Sequence, residues 1–196
     1  MMRVFILYHP DFASKGKFER KLSRIFSNSI DYKILYFEDH HNLIINYFNS
    51  NVLINIDKTN FTNLTPSNLT HAVIIDSANK PIFMEQYKTL SSKIPVRYIK
   101  DNITSVSNKD RNEHFDTYIG RGTLWGNPYA IGHDGDRDEV IRKFKYDFER
   151  DFLKGGPDFK KQLMTLRGQT LGCHCKPYSC HGDILAQYLN ELDDEE

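Results

Sequence analysis

Residues 1–100 alternate short apolar runs with segments of helical spacing, and that alternation restricts the fold more than any other property of the chain. Arg3–Tyr8, Tyr32–Phe37, Val52–Ile56, His71–Asp76 and Val96–Ile99 are strand-like. Between them, Phe18, Leu22, Ile25 and Phe26 recur at helical intervals, as do Leu43, Ile44, Tyr47 and Phe48. Pro81 suits the first turn of a helix running to Leu90. Strands separated by helices pair in parallel, with the helices covering both faces of the sheet. The expected class is therefore α/β, a mostly parallel sheet flanked by helices. Ligands of such sheets bind beyond the carboxyl ends of the strands. Those ends carry Tyr8-His9-Pro10-Asp11 and Asp76-Ser77-Ala78-Asn79, without a glycine-rich phosphate turn.

The chain divides near its middle. Of 11 glycines, only Gly16 precedes Gly120, and all 3 cysteines and the single Trp125 also fall late. Residues 1–112 carry 15 basic and 10 acidic side chains, whereas the remainder carries 11 and 16. The expected organisation is a unit over 1–100, a polar linker over 101–112, a smaller α/β unit over 113–190 and a solvated acidic tail over 191–196. Lys plus Arg and Asp plus Glu each total 26, so there is no chain-wide basic footprint for nucleic acid. No apolar run approaches the ~20 residues that span a bilayer, and the N-terminus lacks a signal-peptide pattern. Three cysteines crowded into 173–180 do not make a disulfide framework. The expected location is the cytoplasm.

Two late motifs carry the chemistry. The first is Tyr118-Ile119-Gly120-Arg121-Gly122-Thr123-Leu124-Trp125-Gly126-Asn127-Pro128-Tyr129, a short strand entering a glycine-rich loop. Arg121 is a fork donor for phosphate or carboxylate. Trp125 and Tyr129 offer rings on which a base could stack, or Trp125 plugs a core. The second is Leu171-Gly172-Cys173-His174-Cys175-Lys176-Pro177-Tyr178-Ser179-Cys180-His181-Gly182-Asp183. It reads as a buried strand over Gln169–Cys173, a turn, and a helix beginning near Cys180. Were the strand to reach Cys175, both thiols would share one face. Helices over Asp136–Leu153 and Asp158–Leu166 supply a core between the motifs.

Three readings of the cysteines stand open. Cys173, Cys175, Cys180 and His181 form a zinc site, although their spacing is not a common finger spacing. Alternatively one thiol is a nucleophile, Cys180 ahead of Cys175, activated by the helix start and by His181 with Asp183 orienting the imidazole. In the third, the cysteines pack as small core hydrophobes.

The two late motifs resemble a family catalogued as domain of unknown function 4326, found in bacteriophages and bacteria. The resemblance covers about residues 115–190. It implies that Arg121, Trp125, Asn127, Pro128, Cys175, Pro177, Cys180, His181 and Asp183 are signature positions. His174 departs from the aromatic, usually Trp, of that place. The Cys…Pro-x-x-Cys-His ending also resembles a second uncharacterised α/β family. The first unit resembles Rossmann-like nucleotide-handling domains related to nucleoside deoxyribosyltransferases. Together these imply a small, phage-encoded cytoplasmic enzyme acting on a nucleotide, nucleoside or nucleic-acid base. Arg121, Trp125, Asn127, Tyr129 and Lys176 would hold the substrate, and Cys180, His181, Asp183 and Cys175 would do chemistry. The alternative is a zinc-stabilised, non-enzymatic module that binds nucleic acid or a host protein.

Overall fold

The computed structural model describes residues 1–27, 31–49, 54–61, 68–111 and 113–193. The chain separates into two compact units, one built on Met1–Asn102 and the other on Ile103–Leu192.

In the first unit, five parallel strands lie in the order β3-β2-β1-β4-β5. They are β1 (Met2–Tyr8), β2 (Tyr32–Tyr36), β3 (Ile56–Lys58), β4 (His71–Ser77) and β5 (Val96–Asp101). Helices α1 (Lys15–Phe26), α2 (Leu43–Phe48) and α3 (Met84–Ser91) connect them. This is the Rossmann-like arrangement, with the topological switch between β1 and β4. β1 and β4 run through the middle, so Phe5, Ile6, Ile74 and Ile75 are wholly buried. That two-sided burial is why the central strands read as continuous apolar runs.

The crossover loops are held by buried carboxylates. Asp76 accepts hydrogen bonds from the backbone N–H groups of Ser77, Ile82 and Phe83 and from the Tyr98 hydroxyl. These bonds hold residues 81–83 in a turn, so the helix begins at Met84 rather than at Pro81. Burial and the hydrogen bond to Asp76 push the Tyr98 phenol above its ordinary range. Asp101, at the end of β5, meets Lys17 Nζ at 2.6 Å, with both side chains essentially excluded from solvent. Lys21 Nζ lies 3.0 Å from the other carboxylate oxygen, an ionic contact rather than a directed hydrogen bond. The strand expected at Val52–Ile56 lies at Ile56–Lys58, and residues 51–53 are outside the described residues.

The second unit has a three-stranded parallel sheet in the order β6-β8-β7. Its strands are β6 (Ser105–Asn108), β7 (Thr117–Tyr118) and β8 (Thr170–Cys173). Helices α4 (Arg137–Glu149), α5 (Asp158–Leu163) and α6 (His181–Glu191) complete it. The stretch expected to be a linker therefore supplies β6. Ser105-Val106-Ser107-Asn108 lacks a strand-like apolar run because β6 pairs only with β8, as an edge strand. Helix α4 stops at Glu149, short of Leu153, because Asp151 takes a positive φ of 58°. Phe144, Phe148, Phe159, Leu163, Leu171, Leu185 and Leu189 form the core. Glu191, expected in the tail, closes α6, and residues 194–196 are outside the described residues.

Candidate functional site

β7 and β8 run parallel, so their carboxyl ends open on the same edge of the second sheet. The glycine loop leaves β7 there, and the cysteine turn leaves β8. Between them lies a cavity of about 340 Å³, lined by Arg121, Asn127, Tyr129, Cys173, Cys175, Cys180 and His181 from the two motifs. Arg137, Val140 and Ile141 of α4 and Tyr118 of β7 complete much of its wall. A small ligand occupies cavities of this size, with apolar walls and a few convergent polar groups.

Each motif residue is positioned by local bonds. Gly126 packs against the start of the loop, where a Cβ would lie 2.6 Å from the Gly120 carbonyl oxygen. Asn127 accepts from the Tyr129 N–H at 2.9 Å and donates to the Val140 carbonyl at 3.2 Å, joining loop to α4. Tyr129 donates its hydroxyl to Asp147 at 2.5 Å, and that hydrogen bond raises its pKa. Arg121 and Arg137 reach backbone carbonyls only at 3.5 and 3.3 Å. Both residues line the cavity, and the Arg137 guanidinium also lies over the Tyr178 ring, 5.2 Å from its centroid.

The floor is made of sulfur and imidazole. One ligand atom from each of Cys173, Cys180 and His181 lies within 4.8 Å of the others, and all three residues are buried. None of the thiols is in a disulfide. His181 Nε2 sits 2.9 Å from the Ile119 carbonyl oxygen. A carbonyl can only accept, so Nε2 carries a proton, and in the neutral ring Nδ1 is then the nitrogen with the lone pair. The ring also meets Phe144 edge-on, with centroids 5.2 Å apart.

The thiols share protons in one direction. Hydrogen bonding from Cys180 pulls the Cys173 pKa down against the opposing effect of burial, helped by the Cys175 backbone and thiol and by His181. Cys180 moves the opposite way, pushed up by its bond to Cys173, by burial and by the Asp183 charge. Burial raises Cys175, with Arg137 opposing it. Cys180 is thus the proton donor of the group, not its readiest thiolate. The helix start does not offset these effects, and Asp183 itself caps that start, accepting the Cys180 N–H at 2.9 Å.

Three further expectations change. Asp183 does not orient His181; it caps α6 and pairs with Lys176 at 2.5 Å, so neither residue faces the cavity. Trp125 packs into the core against Phe159, centroids 5.3 Å apart, and does not line the cavity. β8 ends at Cys173, so Cys175 comes near its neighbours through the turn rather than by strand alternation. Asn108 of β6 fixes that turn by donating to the His174 and Lys176 carbonyls.

Sequence reasoning missed Arg137 and the chain Asp110–His174–Tyr118 at the cavity wall. His174 Nδ1 lies 2.5 Å from Asp110 and Nε2 lies 2.9 Å from the Tyr118 hydroxyl. Arg137 follows the cap Asp136, a start signal that says nothing of the cavity. The departure at His174 was the one local cue to the second group.

A family model for the minimal SLOG domain matches residues 1–107, more than half of the chain. The chain belongs to the minimal SLOG family. Beyond the minimal SLOG unit, residues 104–191 match the domain of unknown function 4326, which confirms the resemblance carried by the two late motifs. The chain is also 49% identical over 88 residues to the "Uncharacterized 12.4 kDa protein in nrdA-td intergenic region" of Enterobacteria phage T4. That match covers 44% of this minimal SLOG chain and 78% of the phage protein. No solved structure matches. Among the described residues, no helix is long and apolar enough to cross a membrane.

Proposed function

We propose that the protein has a nucleotide-related role and that the cavity of its second unit binds the ligand. The observation that carries this reading is the convergence of Arg121, Arg137, Tyr118 and Tyr129 on one cavity of about 340 Å³. Guanidinium forks recognise phosphate or carboxylate oxygens, and aromatic rings take a base or sugar face. The minimal SLOG fold of the first unit supports the same ligand class. The Cys/His floor closes the inner end of the cavity. It bounds the ligand from below, where a base edge would meet polarisable sulfur and the ordered His181 ring. A reaction led by Cys180 as nucleophile fits poorly, because that thiol is buried and its proton is shared with Cys173.

The test is a panel of nucleosides, mono-, di- and triphosphates and dinucleotides, scored by thermal shift and then by calorimetry. The full chain is compared with Arg121→Ala and Arg137→Ala. Losing a charge-assisted hydrogen bond of ~1.5–3 kcal/mol weakens binding about 10- to 100-fold. Saturable binding reduced by that factor in both variants is expected. Binding indifferent to both arginines, or absent for every nucleotide class, refutes the assignment.

A further inference from the structure

We infer that Cys173, Cys180, His181 and Cys175 hold a zinc ion in the floor of the cavity. This inference does not depend on what occupies the cavity above.

The geometry comes first. A tetrahedral zinc with sulfur ligands at ~2.3 Å sets its ligand atoms about 3.8 Å apart. The donor atoms of Cys173, Cys180 and His181 already lie within 4.8 Å of one another. A contraction of about 1 Å brings three ligands to tetrahedral spacing. Cys175 lies outside that 4.8 Å group, but it lines the same cavity and its thiol hydrogen-bonds to Cys173, so a movement of the turn brings its sulfur in as the fourth ligand. It is less buried than the other two, so the fourth bond faces the ligand space.

The donor set suits zinc. Soft thiolates with one imidazole in a four-coordinate cluster select zinc over hard cations. His181 is prepared for the role. With its Nε2–H held by the Ile119 carbonyl, Nδ1 is the ring nitrogen left to ligate; ligating histidines are held by a backbone carbonyl in this way. Room is provided by Gly182, where a Cβ would come within 3.2 Å of Cys180 Sγ and 2.6 Å of Ile119.

The four ligands come from the end of β8, the turn and the start of α6. A zinc ion there adds a covalent-strength link among elements already joined by core packing, the Asn108 bonds and the Lys176–Asp183 pair. It also accounts for a cluster of buried, reduced thiols without a disulfide. Binding replaces thiol protons with metal, so two or more protons are released as the ion enters.

The experiment uses the full chain purified without chelator. Zinc is measured by plasma mass spectrometry, and thiol access by alkylation and peptide mapping before and after a strong chelator. The expected result is close to one zinc per chain, all three cysteines protected together, and all three released together with a fall in melting temperature on chelation. Cobalt exchanged into the wild-type protein is expected to give the intense thiolate charge-transfer and tetrahedral ligand-field bands. That readout needs no variant and stands even if Cys173→Ser or Cys180→Ser fails to fold. Cys175→Ser is expected to fold and to lose its metal to a chelator concentration at which the wild type keeps it. Metal-free protein that takes up neither zinc nor cobalt overturns the inference, as does alkylation of the thiols at rates unchanged by chelator. A Cys175→Ser variant that retains zinc as tightly as wild type overturns the four-ligand assignment. None of these readouts uses a nucleotide, so they are separate from the arginine test above.

Discussion

Replacing Asp101 with Asn isolates the energetic weight of a single buried charge in the minimal SLOG unit. Lys17 is wholly buried and Asp101 nearly so, with 2.6 Å between Nζ and Oδ1. Lys21 adds a second ammonium 3.0 Å from Oδ2. The amide removes the negative charge that Lys17 meets while Lys17 stays inside. Breaking a buried pair from one side costs about 3–5 kcal/mol, because the remaining charge loses its compensation. At about 4–8 °C per kcal/mol for a unit of ~100 residues, the melting temperature falls by about 12 °C or more. The control is Lys17→Met combined with Asp101→Leu. Removing both buried charges leaves no uncompensated ion inside, and Lys21 is partly exposed, so stability returns to within ~1.5 kcal/mol of wild type. Trp125 lies in the other unit and cannot report this transition by fluorescence. Hydrogen exchange by mass spectrometry on peptides from α1 and β5 follows the right region. An Asp101→Asn cost below ~1 kcal/mol, or a double variant as damaged as the single one, refutes the reasoning.

Two further outcomes follow from crowded or saturated groups. Asp76→Asn places amide protons against the donors of Ile82, Phe83 or Tyr98, and a cost of about 1–3 kcal/mol is expected for each donor left unpaired; faster exchange at residues 82–83 is the measurement. Gly126→Ala drives a Cβ to 2.6 Å from the Gly120 oxygen and 2.9 Å from the Arg121 Cα, both backbone atoms. Unfolding followed by Trp125 fluorescence is expected to show a loss of about 1–3 kcal/mol, and wild-type stability would show that the loop can open without strain.

Much of the first unit was legible because its central strands are buried on both faces. A run such as Ala72-Val73-Ile74-Ile75 has little alternative to a parallel strand. β6 was not legible. Its four residues owe their strand to pairing with β8, sixty-odd residues later, and nothing in Ser105-Val106-Ser107-Asn108 carries that partner. The convergence of the two late motifs was visible, since parallel strands open on one edge. The role of Trp125 was not: an indole has the same local signature whether it faces a ligand or Phe159. The direction of proton sharing among the thiols was equally hidden. A helix start favours a thiolate at Cys180, but its hydrogen bond to the Cys173 sulfur, brought up by another strand, and its burial hold the proton, with the Asp183 charge adding to both. Contacts that join distant segments decide these outcomes, and local pattern cannot encode them.

The place of β8 in the second sheet also sets the order in which the molecule can be made. It is the middle strand, yet it is the last of the three to leave the ribosome. Thr170 meets Ser105 across 65 residues and Asp116 across 54. Until β8 emerges, β6 and β7 have no common partner, and closing chain segments of that length makes sheet assembly slow. The cavity wall from β7 and α4 is synthesised early, but its floor exists only when the final turn and α6 arrive. A chain cut short before Thr170 would therefore lack the centre of the sheet and every cysteine, and would expose two unpaired strand edges to other nascent chains.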